Sequence, residues 1–481
     1  MRLHNRISIL KNWMWWTIPR LGSRAVSASL TTVQRLIFSK EPSATRQLVT
    51  LLEETAKMPR PSRELQQQAH LGGVLKVASG LVSFYRERLP AWCREGRFDA
   101  ARFLELPILK RSDLQEFASE LENPRPPEPY QALGSTSTSG STGAPIVTKG
   151  HRAAALMKRS QQIRFQKRFG FDFDAPCAFL TNPYKAGVAD PPEGRVSHSW
   201  SAGFGTGPSY ILDLMADTSD QLDWLLRKRP TYLATYPSNL QALIKRSLEL
   251  DQRPDGLQAV VLSSEPVSAE LIELTRKSWG AQCLPTYSSS EAGLMASPRA
   301  DGTGYYVEAE AVHLEVLRDD DSPCLPGEIG RVVITTMQEF LRPLIRYEVG
   351  DYAELAQDDP ADLITLPRLG RVLGRQRTMI ELPDGRRVWP HFEFAPLMSI
   401  GGLCKWQLVQ HADLSITARV VGQGPMSDLL KDRILDVVTS ALPGIRARIQ
   451  EVDDIPRTPR GKFLELVSEV SEVGEASPAP N

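Results

Sequence analysis

The stretch from Thr231 to Tyr287 constrains the fold more than any other part of this chain. Thr231-Tyr-Leu-Ala-Thr-Tyr236 is rich in β-branched and aromatic residues and reads as a strand. Pro237-Ser238 opens a helix, with Ser238 and Gln241 in capping-box spacing. Leu257-Gln-Ala-Val-Val-Leu262 is a second strand, a helix follows through Lys277, and Gln282-Cys-Leu-Pro-Thr-Tyr287 is a third strand. Such alternation demands right-handed crossovers and a parallel sheet. Ligands on such sheets lie beyond the carboxyl ends of the strands. The polar segments Tyr236–Asn239, Ser263–Pro266 and Tyr287–Glu291 each leave a strand there, so they are expected to converge on one cleft.

A second constraint is chemical. Ser135-Thr-Ser-Thr-Ser-Gly-Ser-Thr-Gly-Ala-Pro145 combines hydroxyl donors with glycines, which leave backbone N–H groups open to an anion. It lacks the Gly-Lys-Ser/Thr of a P-loop and the Gly-x-Ser-x-Gly of a nucleophile elbow. By composition alone it fits a flexible polar loop equally well. His151 to Phe169 has helical composition and is expected to follow the loop directly, with its N-terminal dipole facing the anion.

The remaining organisation is coarser. Lys+Arg and Asp+Glu are equal at 57 each, which gives no field for nucleic acid. The cysteines Cys93, Cys177, Cys283, Cys324 and Cys404 form no C-x-x-C pair and read as small buried hydrophobes. Residues 1–44 form a basic segment with no acid before Glu41, and Trp13-Met-Trp-Trp-Thr-Ile18 is too short for a signal sequence. The segment reads as a first helix packed on the domain; a peripheral contact of residues 1–40 with an anionic membrane is the alternative. A cytoplasmic protein is expected. Residues 45–130 read as helical, with amphipathic helix over 45–90, Tyr305–Leu355 alternates as antiparallel strands, and a small α+β unit starts near Gly370. That unit holds a hairpin at Pro383-Asp-Gly385, strands at 406–410 and 414–421, a helix from Ser427 and a last strand near 446–452, and 474–481 reads as disordered.

With these elements in place, the chain resembles the adenylate-forming enzyme superfamily, in its phenylacetate–CoA ligase-like branch, which includes capsular-polysaccharide-associated proteins. The resemblance runs from about Phe103 to Lys462 and rests on six short motifs in family order. These are Thr138-Ser-Gly-Ser-Thr-Gly143, Ser264-Glu-Pro266, Tyr287-Ser-Ser-Ser-Glu291, Arg346-Tyr-Glu-Val-Gly-Asp351, Gly374-Arg375 and Pro459-Arg-Gly-Lys462. It implies a large α/β domain, 1–373, with parallel sheets and an antiparallel β subdomain, and a small mobile α+β lid domain, 374–481. It also implies a ligase that uses ATP and Mg²⁺ to form an acyl-adenylate and then acylates a thiol, CoA or a carrier protein.

By the same resemblance, Ser139, Gly140, Ser141, Thr142 and Gly143 hold the ATP phosphates. Ser264, Glu265 and Pro266 line the adenine pocket, where Tyr287 packs beside Ser288 and Ser289. Glu291 binds Mg²⁺, Asp351 accepts from the ribose hydroxyls, Arg375 stands at the hinge, and Lys462 is the mobile catalytic lysine. Thr142, Glu291 and Lys462 are thus the catalytic candidates. Singly, Glu291 also reads as a helix-start carboxylate, Asp351 as a turn and Lys462 as a solvated tail lysine.

Two departures are visible. After Gly374-Arg375 the chain reads Gln376-Arg377-Thr378, with Arg377 and Thr378 at positions where the family commonly carries acidic residues, which puts hinge behaviour and the second half-reaction in question and keeps an amine acceptor as an alternative; a non-catalytic nucleotide- or acyl-binding relative is a further one. Ala296-Ser-Pro-Arg299 replaces the cysteines through which some relatives bind zinc, so no zinc is expected. For the acyl pocket, Trp200, Phe204, Tyr236 and Tyr210 are aromatic candidates that suggest an aryl or flat acid, with His198 as a polar orienting group. Tyr210 reads equally as core, and the loop 183–194 with Lys185 as a gate.

Overall fold

The computed structural model describes residues 32–39, 41, 43–137, 146–181, 191–201, 203–375, 380–383, 387–388, 397, 400, 402–422, 424–442, 444–456, 463–464 and 466–470. Along the chain come α1 (Ala44–Ala56), α2 (Arg60–Leu81), the hairpin strands β1 (Gly134–Ser137) and β2 (Val147–Gly150), and α3 (Arg152–Arg168). Next are β3 (Cys177–Thr181), β4 (Arg195–Ser197), β5 (Ser209–Asp213), α4 (Thr218–Lys228), β6 (Tyr232–Thr235), α5 (Pro237–Glu249), β7 (Ala259–Leu262), α6 (Ala269–Trp279) and β8 (Gln282–Pro285). A run of strands follows: β9 (Tyr287–Ser289), β10 (Gly293–Pro298), β11 (Tyr305–Val307), β12 (Val312–Leu317), β13 (Ile329–Thr336), β14 (Tyr347–Leu355) and β15 (Arg368–Arg375). The last elements are β16 (Ile380–Glu381), β17 (Arg387–Val388), β18 (Leu403–Gln410), β19 (Ile416–Gly422), α7 (Asp428–Ala441), β20 (Ala447–Glu451) and β21 (Leu466–Ser468).

These elements fall into two compact units, drawn respectively from 1–174, 198–207 and 286–372, and from 175–197, 208–285 and 373–481. In the first unit, the helical composition of 45–90 is broken before Arg60. Pro59 has no N–H to continue a helix and instead serves as the N-cap of α2. Helix α1 turns Leu48 and Leu52 into a core shared with Val74 and Val77 of α2 and Met157 of α3. The main sheet of this unit has the order β12-β13-β14-β15-β11-β10-β9. The pairs β12/β13, β13/β14, β11/β15, β10/β11 and β9/β10 are antiparallel, as the alternating runs in Tyr305–Leu355 predict.

In the second unit the six strands run β4-β5-β3-β6-β7-β8. The pairs β3/β5, β3/β6, β6/β7 and β7/β8 are parallel, so the strand–helix–strand reading holds. Helices α4, α5 and α6 cover it through a core of Leu222, Trp224, Leu240, Leu243, Val260 and Leu271. One expectation needs correction. The single strand read over 282–287 is divided: β8 ends at Pro285, and Tyr287 opens β9, which pairs with β10 in the first unit's sheet. Pro285 carries no N–H to extend the ladder.

Further along, β16 and β17 form the hairpin expected at Pro383-Asp-Gly385. A four-stranded sheet of order β20-β19-β18-β21 packs against α7, whose N-cap Ser427 accepts the Leu430 N–H. Strand β21 was not expected; three residues are too few for a period-2 pattern. Among the described residues no helix is long and apolar enough to cross a membrane.

Two histidines packed into the first unit, His70 buried and His313 half-buried, make stability depend on pH. Burial pushes the imidazoles of His70 and His313 down from the ordinary 6.5 to about 4, and the Arg346 charge adds to this at His313. Below pH 6.5 the unfolded chain takes up these protons before the folded one does. Their contribution is therefore complete above pH 6.5 and lost as pH falls toward 4, on the order of 3 kcal/mol for each ring. Thermal unfolding scans should show a midpoint that drops steeply across this window, and a His70→Gln, His313→Gln double variant should flatten the drop.

Candidate active site

The first unit holds the hairpin β1/β2 on either side of residues 138–145. Gly134 to Ser137 pair with Gly150 to Val147, and residues 138–145, which include Ser139, Gly140, Ser141, Thr142 and Gly143, lie outside the described residues. The base of the hairpin is tied down by charge-assisted bonds. Arg342 donates to the Val147 carbonyl (2.7 Å) and to Glu122 (2.5 Å), and Lys149 reaches the same Glu122 (2.7 Å). Partial burial pushes the Glu122 carboxyl up, but its two cationic donors, Lys149 and Arg342, outweigh that push and hold it below its ordinary range.

Strand β2 separates the loop from α3, so the helix does not follow the loop directly. Its N-terminus is capped by a side chain instead: His151 Nδ1 accepts the Ala154 N–H (3.1 Å), and Nε2 pairs with Glu339 (2.6 Å). A ring nitrogen accepting at the first turn satisfies a donor that the dipole argument had left for an anion.

Two motif residues meet in this unit. The phenol of Tyr287, at the start of β9, donates to Asp351 Oδ2 of β14 at 2.9 Å. Gly350 just before it has φ +84°, a left-handed value that explains the glycine of Val-Gly-Asp. Ser289 Oγ accepts the Ala292 N–H (3.0 Å) and closes the turn that carries Glu291. The Glu291 side chain is 5% exposed, with Arg111 Nη1 at 4.0 Å. Such a carboxylate suits Mg²⁺, which takes one or two protein carboxylates and fills its shell with phosphate and water oxygens. Among the described residues no group of three or more His, Cys, Asp or Glu gathers as a metal centre.

Arg346 opens the motif Arg346-Tyr-Glu-Val-Gly-Asp351 and has a structural role that the motif does not announce. Its buried guanidinium pairs with Glu315 (3.1 and 3.2 Å) and donates to the carbonyls of Leu104 (2.6 Å) and Leu106 (2.7 Å). Its φ of +47° is unusual for a side chain of this size. The available signal was Glu315, an acid inside the apolar run Val312-His-Leu-Glu-Val-Leu317.

Of the aromatic candidates, Trp200 stacks on Phe173 (5.5 Å, 23°), and Phe204 tilts against the same ring (5.1 Å). Arg46 donates to the Phe204 carbonyl (3.0 Å), and Ser199 pairs with Thr206 (2.7 Å), which fixes the loop. His198 opens this loop and is exposed. Lys185 lies outside the described residues.

The second unit carries the other motif loop. Ser264 follows β7 with φ +76°, a strained conformation for serine. Glu265 accepts from Ser238 N (2.9 Å), Ser238 Oγ (3.1 Å) and the Phe463 N–H (3.1 Å). The expected Ser238–Gln241 capping box does not form. Tyr236 is the N-cap without a side-chain bond, and Glu265 supplies the acceptor from the neighbouring loop. Tyr236 and Tyr210 both pack on the unit's core. Lys462, Arg377 and the side chain of Arg375 lie outside the described residues.

No protein-family model matches the chain. A phenylacetate-coenzyme A ligase of Thermus thermophilus is 27% identical over 178 residues, 36% of this chain and 40% of that ligase. The match thus spans less than half of the relative's length. Among solved structures, 2-hydroxyisobutyryl-CoA ligase in its postadenylation state aligns with a TM-score of 0.71 at 18% identity, over 87% of this chain and 92% of that one. An anthranilate CoA ligase bound to anthranoyl-AMP aligns at 0.54 and 18% identity, over 70% and 66%. The chain has the fold of the adenylate-forming acyl-CoA ligases, and the sequence match agrees with its resemblance to that superfamily.

Proposed function

We propose that this chain, built on the fold of the adenylate-forming acyl-CoA ligases, activates a carboxylic acid with ATP and transfers the acyl group to a thiol. The observation that carries the reading is the Tyr287–Asp351 hydrogen bond, which joins two separately recognised nucleotide motifs. In the first step a carboxylate oxygen attacks the α-phosphorus and pyrophosphate leaves. In the second the thiol sulfur attacks the acyl carbon, AMP leaves with the carboxylate oxygen, and the thiol proton is released. Asp351 accepts from the ribose hydroxyls, with Tyr287 orienting it. Ser139, Gly140, Ser141, Thr142 and Gly143 hold the phosphates, and Ser264, Pro266, Ser288 and Ser289 flank the base. Glu291 would hold Mg²⁺, which when bound screens the phosphate charge. Residues 374–481 act as the mobile small domain, with Arg375 at the hinge.

The substrate class we propose is an aryl or otherwise flat acid, supported by the aromatic side chains gathered at Phe173, Trp200 and Phe204. Its location is proposed as cytoplasmic. Residues 1–40 are proposed as a packed N-terminal segment; liposome co-sedimentation with and without them tests the peripheral membrane alternative.

Tyr287→Phe removes one donor from Asp351 and keeps the ring. An ordinary hydrogen bond contributes about 1 kcal/mol, so the KM for ATP should rise about fivefold with kcat little changed. Steady-state ATP titrations check this. The reaction itself is tested by mass spectrometry of products from ATP·Mg²⁺ and a panel of acids, with CoA, with a carrier protein and with an amine. Acyl-CoA plus AMP supports the proposal. Acyl-adenylate that acylates only an amine replaces the thiol by an amide product. ATP binding without turnover of any acid leaves a nucleotide-binding scaffold.

A further inference from the structure

Arg63, in the first turn of α2, has a side chain only 5% exposed, and its Nε and Nη1 have no hydrogen-bond acceptor among the described residues. Its guanidinium reaches Glu64 through Nη2 at 3.7 Å, and that acid is 45% exposed. So long and open a pair offsets little of the cost of burying a charge. Burial pushes Arg63 down from the ordinary arginine value, against the opposing charges of Glu64 and Glu310. The acids further inside are already committed. Arg164 of α3 engages both Glu310 oxygens (2.6 and 3.1 Å) and pairs with Glu308, whose other oxygen accepts from Ser297 (2.6 Å). The segment carrying these acids lies against α2. Gln67, one turn beyond Arg63, donates to the Ala309 carbonyl (3.2 Å), and Gln338 joins His70 of α2 (3.2 Å) to the Glu310 carbonyl (3.4 Å). Arg168, at the end of α3, donates to Ser297 (2.7 Å) and has no carboxylate partner among the described residues, and its Nε is buried without an acceptor. Arg63, Arg164 and Arg168 thus set three positive charges against Glu308 and Glu310. Arg60 does not alter this count, since it pairs with Asp358 at the surface.

We propose that Arg63 anchors a buried binding site for a small monovalent anion of the halide class, held by its Nε–H and Nη1–H between α2 and the Glu308–Glu310 segment. A water molecule accepts the same hydrogen bonds but leaves the charge uncompensated, whereas a halide supplies acceptor and counter-charge together. Gln161, one turn before Arg164 on α3, is 1% exposed and also has an Nε2 without an acceptor, so this interior holds a further unused donor. Bound there, the anion stabilises the first unit. The site does not depend on the reading of the chain as a ligase.

The test pairs a stability readout with a direct view of the ion. Thermal unfolding of the full chain is followed at constant ionic strength while gluconate, too bulky for a buried site, is replaced by chloride. The wild-type midpoint should rise by about 3–5 °C at a hundredfold excess of chloride over its Kd, with the saturation of a single site. Arg63→Met should show no such rise. In gluconate it should unfold no earlier than wild type, because the uncompensated charge is gone. Arg60→Met, which breaks a surface pair on the same helix, should keep the chloride response. Anomalous diffraction from wild-type crystals soaked in bromide should place one bromide within hydrogen-bonding distance of Arg63 Nε or Nη1. A midpoint indifferent to chloride, or an equal rise in Arg63→Met, overturns the proposal. So does water in place of bromide at Arg63, or bromide found elsewhere as an adventitious ion only. The wild-type crystals decide the matter even where Arg63→Met fails to fold.

Discussion

Replacing Arg346 by Met is expected to destabilise the first unit by about 3–5 kcal/mol, the cost typical of removing one partner from a buried ion pair. Arg346 and Glu315 are both almost fully buried. Burial pushes the Glu315 carboxyl up, with Arg346 opposing it, so loss of the guanidinium leaves an acid without its counter-charge. The Leu104 and Leu106 carbonyls lose their donors in the same substitution. Arg346 immediately precedes β14, the strand that carries Asp351, so nucleotide affinity should fall together with stability. Urea and thermal unfolding of Arg346→Met, Glu315→Leu and the double variant check this. The double variant should recover most of the loss, because no orphaned charge remains. Additive losses would show that the two residues do not act as a pair.

Lys462→Ala is expected to slow acyl-adenylate formation by about three decades. A carboxylate and an α-phosphate brought to about 4 Å repel by roughly 4 kcal/mol at an effective dielectric of 20, and that is the barrier a positioned ammonium offsets. Transfer from supplied acyl-adenylate has no such pair of approaching anions and should keep most of its rate. Single-turnover measurement of the two half-reactions separates them. Equal losses in both would remove Lys462 from its proposed role.

Which features could be read from residues alone follows the physics of each. The parallel sheet of the second unit was legible because Tyr232–Thr235 and Ala259–Leu262 are short apolar runs bounded by turn residues, and crossover handedness leaves few topologies. The hairpin after Ile380 was legible from Pro383-Asp-Gly385. Pairings across long separations were not. The change of sheet at Thr286, the His151 cap through Glu339 and the Arg346–Glu315 pair depend on what the folded chain brings alongside, and composition carries little of that. The site divides in the same way. Tyr287 and Asp351 were named from separate motifs, and their hydrogen bond emerged only from the fold. Glu265 was named for an adenine pocket, but its carboxylate oxygens accept from Ser238 and Phe463, partners 27 and 198 residues away.

The most direct test of the central claim is acid-dependent exchange of labelled pyrophosphate into ATP, measured with no thiol or amine present. The account predicts exchange that requires both Mg²⁺ and a carboxylic acid, is strongest with aryl acids, and is lost in Lys462→Ala. Protein that binds ATP yet shows no exchange with any acid in a broad panel would contradict it.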